Sequence, residues 1–414
     1  MPSIRTLFTG GLLVSAASAA TYAGFNSGST KADNSVKQLA DFQAEFETAS
    51  KLVGTPTSFN SVRLYTMVQG GTTADPISAF QAAMNTNTKL LLGIWCSQTT
   101  TIQNDLTALS TAIKQYGTKF TDLVIGISVG SEDLYRNSAT GVANKAGVGA
   151  DPSVVAGFIS QVRSAVKGTT LANVPIGHVD TWDVWGNSSN KAVLDAIDFL
   201  GVDAYPYFES NRGNNSIENA VALWDEAYQA AMAAANGKPV WITETGWPAS
   251  GPDWGQGVPS VANAKQYWDE IGCTLFGKTN TFWYTLRDSN PVDKAQFAIT
   301  DDLSTTPKFN LTCPPVKAAI STTSSAASPS ATSSSGSGSG GSSSGSSGSP
   351  GSSGSSGTSG TSGSSGSSDT SGSPGSTTTS SAAATNSSGA AAGTVAPQSL
   401  LTAALFAVAA MFTL

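Results

Sequence analysis

Two glutamates stand where apolar, β-branched runs of the chain give out: Glu132 in Val129-Gly-Ser-Glu-Asp133 and Glu244 in Trp241-Ile-Thr-Glu-Thr-Gly-Trp-Pro248. A pair of carboxyl groups can divide a reaction, one donating a proton while the other attacks or stabilises positive charge. The runs before them, residues 122–129 and 238–243, have the composition of strands covered on both faces. In a parallel α/β barrel the strand ends deliver side chains into one shared mouth, so residues far apart in sequence can face each other. Taken singly, either glutamate could equally open a surface loop. The pair in a barrel context points to a reacting site.

The elements that must position them recur at barrel spacing. Strand candidates fall at residues 21–25, 61–66, 89–96, 123–129, 175–180, 199–207, 239–243 and 281–286, which makes eight. Helical patterns lie between them at 34–52, 76–84, 101–116, 152–166, 217–235 and 260–276. Asp75-Pro76 and Asp151-Pro152 read as helix starts, a capping residue followed by proline in the first turn. The alternation predicts a (β/α)8 TIM barrel over residues 20–317, with Glu132 after the fourth strand and Glu244 after the seventh. An open doubly wound sheet is the alternative, but no Gly-rich phosphate fingerprint follows the first strand. Aromatic residues crowd the same strand ends, and Tyr65, Trp95, Tyr205, Trp247 and Trp283 are the substrate-binding candidates among them. Any one of these could as well be core, but flat faces with a polar tip suit pyranose rings.

With both strand-end glutamates in place, the chain resembles the retaining glycoside hydrolases of family 17, the endo-β-1,3-glucanases, over residues 21–312. Ile242-Thr-Glu-Thr-Gly-Trp-Pro248 is similar to that family's nucleophile signature, and Val62-Arg-Leu-Tyr65 and Asp203-Ala-Tyr-Pro-Tyr-Phe208 to its motifs on strands two and six. The closest layout is that of its fungal branch of extracellular wall enzymes. Ser131 departs from the pattern, since many members carry Asn before the acid/base glutamate. The resemblance implies Glu132 as proton donor and base, Glu244 as nucleophile, and double displacement on cell-wall β-glucan. It also leaves room for transfer to a second sugar chain, favoured by aromatic acceptor subsites such as Trp247 or Trp283. A non-catalytic glucan-binding wall protein is the rival from another class. A chitinase fits less well, because the Asp-x-x-Asp-x-Asp-x-Glu run is absent around residues 201–209.

The ends of the chain speak of location. Residues 1–19 have the charge, apolar core and small-residue order of a secretory signal peptide. Residues 318–386 are mostly Ser, Gly and Thr, which cannot bury apolar surface and read as a disordered tether. Asn386-Ser-Ser388, an uncharged spacer and the apolar tail at 400–414 match a signal for a glycosylphosphatidylinositol (GPI) anchor, with Asn386 the first choice of attachment residue, Ser388 or Gly389 close alternatives, and residues 387–414 removed. The expected place is therefore the outer membrane face and the wall. Asn187, Asn214 and Asn310 open N-glycan acceptor triplets. Of three cysteines, Cys273 and Cys313 are nearest in sequence and could pair, leaving Cys96 as a buried thiol. A net charge of −7 argues against nucleic acid as a partner. With a single histidine, His178, the sequence suggests neither metal nor cofactor, and a monomer is expected.

Overall fold

The computed structural model describes residues 21–289 and 294–315. The segments read as a signal peptide and a tether, with Asn386 and the apolar tail, lie outside the described residues. Eight strands follow one another around the sheet: β1 (Ala23–Ser27), β2 (Phe59–Leu64), β3 (Lys89–Ile94), β4 (Val124–Ser131), β5 (Ile176–Thr181), β6 (Phe199–Asp203), β7 (Val240–Glu244) and β8 (Thr281–Trp283). Every pairing is parallel, and β8 returns to β1 with Ala23 opposite Thr281, closing the barrel. The (β/α)8 expectation holds.

Two apolar regions hold the barrel. Outside it, helices such as α1 (Leu39–Ser50), α2 (Ala79–Thr86) and α3 (Gln103–Tyr116) cover the strands with buried Phe42, Phe46, Phe80 and Leu109. A separate cluster of Leu91, Phe199, Trp241 and Phe282, with Ile125 against it, comes from five different strands and fills the interior. Phe199 and Trp241 stack with centroids 4.0 Å apart. Trp241 of β7 reaches across to β4, where a Cβ on Gly126 would stand 3.0 Å from its ring. Gly126 is thus the space into which the indole fits. Because all strands are parallel, everything C-terminal to this plug points toward one mouth.

Several boundaries differ from expectation for identifiable reasons. The helix predicted from Asp151-Pro152 forms as Pro152–Val166 with Asp151 as its cap residue. Asp75-Pro76 does not start a helix: Pro76 bridges antiparallel to Val68 and the Ile77 N–H donates to the Met67 carbonyl, so α2 begins only at Ala79. The sixth strand stops at Asp203 because Pro206 enters a 3-10 turn, Pro206–Phe208. The last long helix is broken, running as α-helix over Val261–Tyr267, as a wider π turn over Trp268–Gly272, then as a last α turn at Cys273–Leu275.

Cys273 and Cys313 form a disulfide across 40 residues, and Cys96 is buried and free, with burial pushing its thiol well above the usual range. The bridge fixes the final segment against the barrel, where Trp268 Nε1 also donates to the Leu311 carbonyl at 2.9 Å. Opening a loop of that length releases about 4 kcal/mol of unfolded-state constraint. Cys313→Ser should lower the unfolding free energy by roughly that amount in a denaturant titration, with the fold's circular dichroism retained below the transition.

Candidate active site

The β4 end is shaped by a register shift between Ser128 and Ser131, so the chain turns outward just before Glu132. Gly130 sits at φ +91° and a Cβ there would meet Asp133 Oδ2 at 2.2 Å, which only glycine avoids. Glu132 itself has φ +57°, a left-handed conformation that costs a non-glycine residue about 1–3 kcal/mol. Surrounding bonds hold it there. Asp133 Oδ2 accepts from the Ser131 N–H at 2.9 Å, and the Asp180 carboxylate accepts from the backbone of Leu134 and Tyr135. His178, fully buried, is satisfied on both ring nitrogens, by the Val129 carbonyl and by Asp180 Oδ2. It is therefore a structural histidine that carries the turn bearing Glu132.

Arg136, one helical turn beyond, places Nη2 3.3 Å from Glu132 Oε2 while Nη1 donates to Ser97 Oγ at 2.8 Å. Glu132 is 3% exposed. Burial pushes its carboxyl from 4.5 up to about 8; Arg136 opposes the rise, and Glu244 and Asp180 add to it. The rise favours the protonated acid at neutral pH.

Glu244, the last residue of β7, has a different environment. Arg63 Nη1 and Tyr65 OH each reach Oε1 at 2.6 Å, and Tyr205 OH reaches Oε2 at 2.7 Å. Three donors converge on it, which suits a negatively charged oxygen pair. Arg63 is 1% exposed and also donates to Asn26 Oδ1 and Ser131 Oγ. The two carboxyls influence each other across the mouth and differ in setting: one neutral and able to give a proton, the other armed with donors and able to attack.

An open cleft of about 330 Å³ leads away from Glu132, with Asp203 and Tyr205 on its wall and Tyr135, Trp182, Phe208 and Trp254 as its aromatic surface. Of the predicted aromatic residues, Tyr65 and Tyr205 lie directly on Glu244. Trp95 is half-buried at the mouth, its ring 5.1 Å from the Arg136 guanidinium. Trp247 and Trp283 require correction. Each is 2% exposed. Trp247 is enclosed by Tyr207 and Tyr267 and donates to the Val258 carbonyl; Trp283 packs on Trp268, Tyr267 and Phe276. Alternation along β8 explains the second: Phe282 points into the barrel, so Trp283 must face the helices, and Tyr284 returns to the mouth beside Tyr205.

Arg63, Arg136 and Asp203 were not singled out from the sequence. A charged residue inside an apolar strand was the available signal for Arg63 and Asp203, and the spacing of four from Glu132 was the signal for Arg136. The asparagines that open the three N-x-Ser/Thr triplets, Asn187, Asn214 and Asn310, are exposed. Among the described residues no group of three or more metal-ligating side chains converges.

Residues 20–299 match the model of the BtgE/BtgC glycoside hydrolase domain. A probable glucan endo-1,3-beta-glucosidase (eglC) of Aspergillus oryzae is 56% identical over 300 residues, covering 72% of this chain and 64% of that protein. Its counterpart in Aspergillus fumigatus is 55% identical over 303 residues, 73% of this chain and 67% of that one. The chain thus aligns with about two thirds of these relatives' length. Among solved structures, a family 17 beta-1,3-glucanosyltransferase from Rhizomucor miehei superposes with a TM-score of 0.57 at 24% identity, covering 70% of this chain and 98% of that one. That likeness shows the barrel fold.

The raised carboxyl of Glu132 has a consequence for stability. Between pH of about 4.5 and 8 the native state holds a proton that the unfolded chain has released, so this residue makes stability fall as pH rises through that window. Glu132→Gln removes the effect. In thermal melts the variant should gain on the parent as pH rises from 5 to about 8, and a constant gap across that range would contradict a protonated Glu132.

Proposed function

Because the chain belongs to the BtgE/BtgC glycoside hydrolase domain family, we propose that it is a retaining endo-β-1,3-glucanase in which Glu132 is the acid/base and Glu244 the nucleophile. The observation that carries this reading is the contrast between the two buried carboxyls, a neutral one on the cleft wall and one gripped by Arg63, Tyr65 and Tyr205.

The reaction runs in two displacements. Glu132 gives its proton to the glycosidic oxygen as that bond to the anomeric carbon breaks, and a Glu244 oxygen forms a new bond to the same carbon. The leaving sugar departs along the cleft on the Glu132 side. Glu132, now ionised and steadied by Arg136, takes a proton from water, whose oxygen displaces Glu244 and regenerates both groups. Arg63 and the two tyrosines orient Glu244 before attack and stabilise its charge when it leaves.

Transfer to a second glucan chain is the other outcome of the same intermediate. Its support is the aromatic cleft beside Glu132, where Trp182 is fixed by a 2.7 Å bond from Nε1 to Glu209 Oε1 and covered by the Arg212 guanidinium. The acceptor role expected of Trp247 and Trp283 passes to these residues.

Incubating the domain with a reduced linear β-1,3-gluco-oligosaccharide should give shorter products by mass spectrometry, and longer ones where transfer competes. Glu132→Gln and Glu244→Gln should each lower kcat by at least about 10³-fold. Parent activity should decline as pH rises through about 8, as Glu132 loses its proton. The first-formed reducing end, followed by NMR, should be the β anomer; an α anomer would rule out double displacement.

For the flanking segments we propose secretion, a Ser/Gly/Thr tether and a GPI anchor at Asn386, on the sequence patterns alone. Phosphatidylinositol-specific phospholipase C should release the protein from cells, and Asn386→Leu should change the amount released.

A further inference from the structure

Asp203 is the last residue of β6 and pairs with Glu244 on β7 just after a register shift that skips Thr243. It is 1% exposed and lies on the cleft wall with Glu132 and Tyr205. Thr243 Oγ1 donates to its Oδ1 at 2.7 Å. Its Oδ2 is buried and has no hydrogen-bond partner. A buried polar atom left without a partner costs about 1–3 kcal/mol, so one beside a reacting pair calls for an occupant. The charged groups around it come from three directions: Glu244 on β7, Glu132 beyond β4 and Arg63 on β2. Arg63 commits both terminal nitrogens to Glu244, Asn26 and Ser131, while its buried Nε, like Asp203 Oδ2, has no hydrogen-bond partner.

We propose that Asp203 is a sugar-contacting residue, its Oδ2 hydrogen-bonded to a hydroxyl of the glucosyl unit seated between Glu132 and Glu244. This rests on the glycosidase reading above. Burial, reinforced by Glu244, pushes the Asp203 carboxyl well above the usual range, with Arg63 opposing. That shift favours the protonated form, which donates from Oδ2, and in either form the carboxyl can bond a sugar hydroxyl. A neutral amide offers the same plane and a donor, so asparagine should replace it.

The test uses the Glu244→Gln protein, which binds without turnover, titrated calorimetrically with laminaritetraose, a β-1,3-linked glucose tetramer. Adding Asp203→Ala should weaken binding about tenfold, while Asp203→Asn should stay within about threefold. Thr243→Val, which removes only the internal bond to Oδ1, should also stay within about threefold. Unchanged binding in Asp203→Ala overturns the proposal, as does an Asp203→Asn or Thr243→Val protein as weak as Asp203→Ala. A measurement that does not depend on the alanine variant folding is difference infrared spectroscopy of the Glu244→Gln protein. Adding the tetramer should shift a carboxyl or carboxylate band that Asp203→Asn abolishes, and a tetramer-induced difference spectrum unchanged by Asp203→Asn also overturns the proposal. If the Glu244→Gln protein keeps the parent's circular dichroism yet binds no tetramer, the glycosidase reading fails first and the proposal falls with it.

Discussion

The buried guanidinium of Arg63 is the interaction on which the mouth of the barrel depends. From β2 it bonds Asn26 on β1, Ser131 at the end of β4 and Glu244 at the end of β7, so one side chain references four strands to each other. Asn26 in turn donates to the Thr243 and Phe282 carbonyls, adding β8 to the same network. A cation withdrawn from water is tolerable only with a counter-charge nearby, and removing either partner leaves the other uncompensated at a cost of several kcal/mol. Glu244 is the carboxylate bonded to it, and Asp203 lies close enough to act in the same field. The proposed nucleophile is therefore also a structural element, and its position follows from the need to neutralise Arg63.

Glu132 is positioned by a different means. Its place comes from backbone shape, a glycine at +91° followed by a glutamate at +57°, held by side chains of Asp133 and Asp180. Nothing comparable to Arg63 grips its carboxyl. Arg136 approaches one oxygen at 3.3 Å. Two chemically identical side chains thereby acquire opposite tendencies: one is surrounded by donors, the other sits in a poorly solvated turn where the proton stays on.

Much of this was legible in the sequence, because it rests on local pattern. Eight apolar runs with helical stretches between them specified the closed parallel sheet, and strand ends located both glutamates. Legibility failed where long-range contact overrode a local signal. Asp75-Pro76 has the composition of a helix start, yet a bridge to Val68 draws the segment into a turn. Trp283 ends a short strand between Phe282 and Tyr284, and only the phase of the pleat, invisible without knowing which face is inside, assigns it to the helices. Arg63 and Asp203 were within the quoted motifs, but their importance comes from partners on other strands.

The aromatic plug of Phe199, Trp241 and Phe282 shuts the barrel below the polar layer. The site is consequently a blind alley: water, protons and sugar share one entrance. Under the proposed double displacement, the fate of the glycosyl intermediate becomes a question of queueing. Whichever molecule stands in the doorway when the first product leaves will be the one that reacts, and a chain already resting on the aromatic cleft has precedence over solvent behind it.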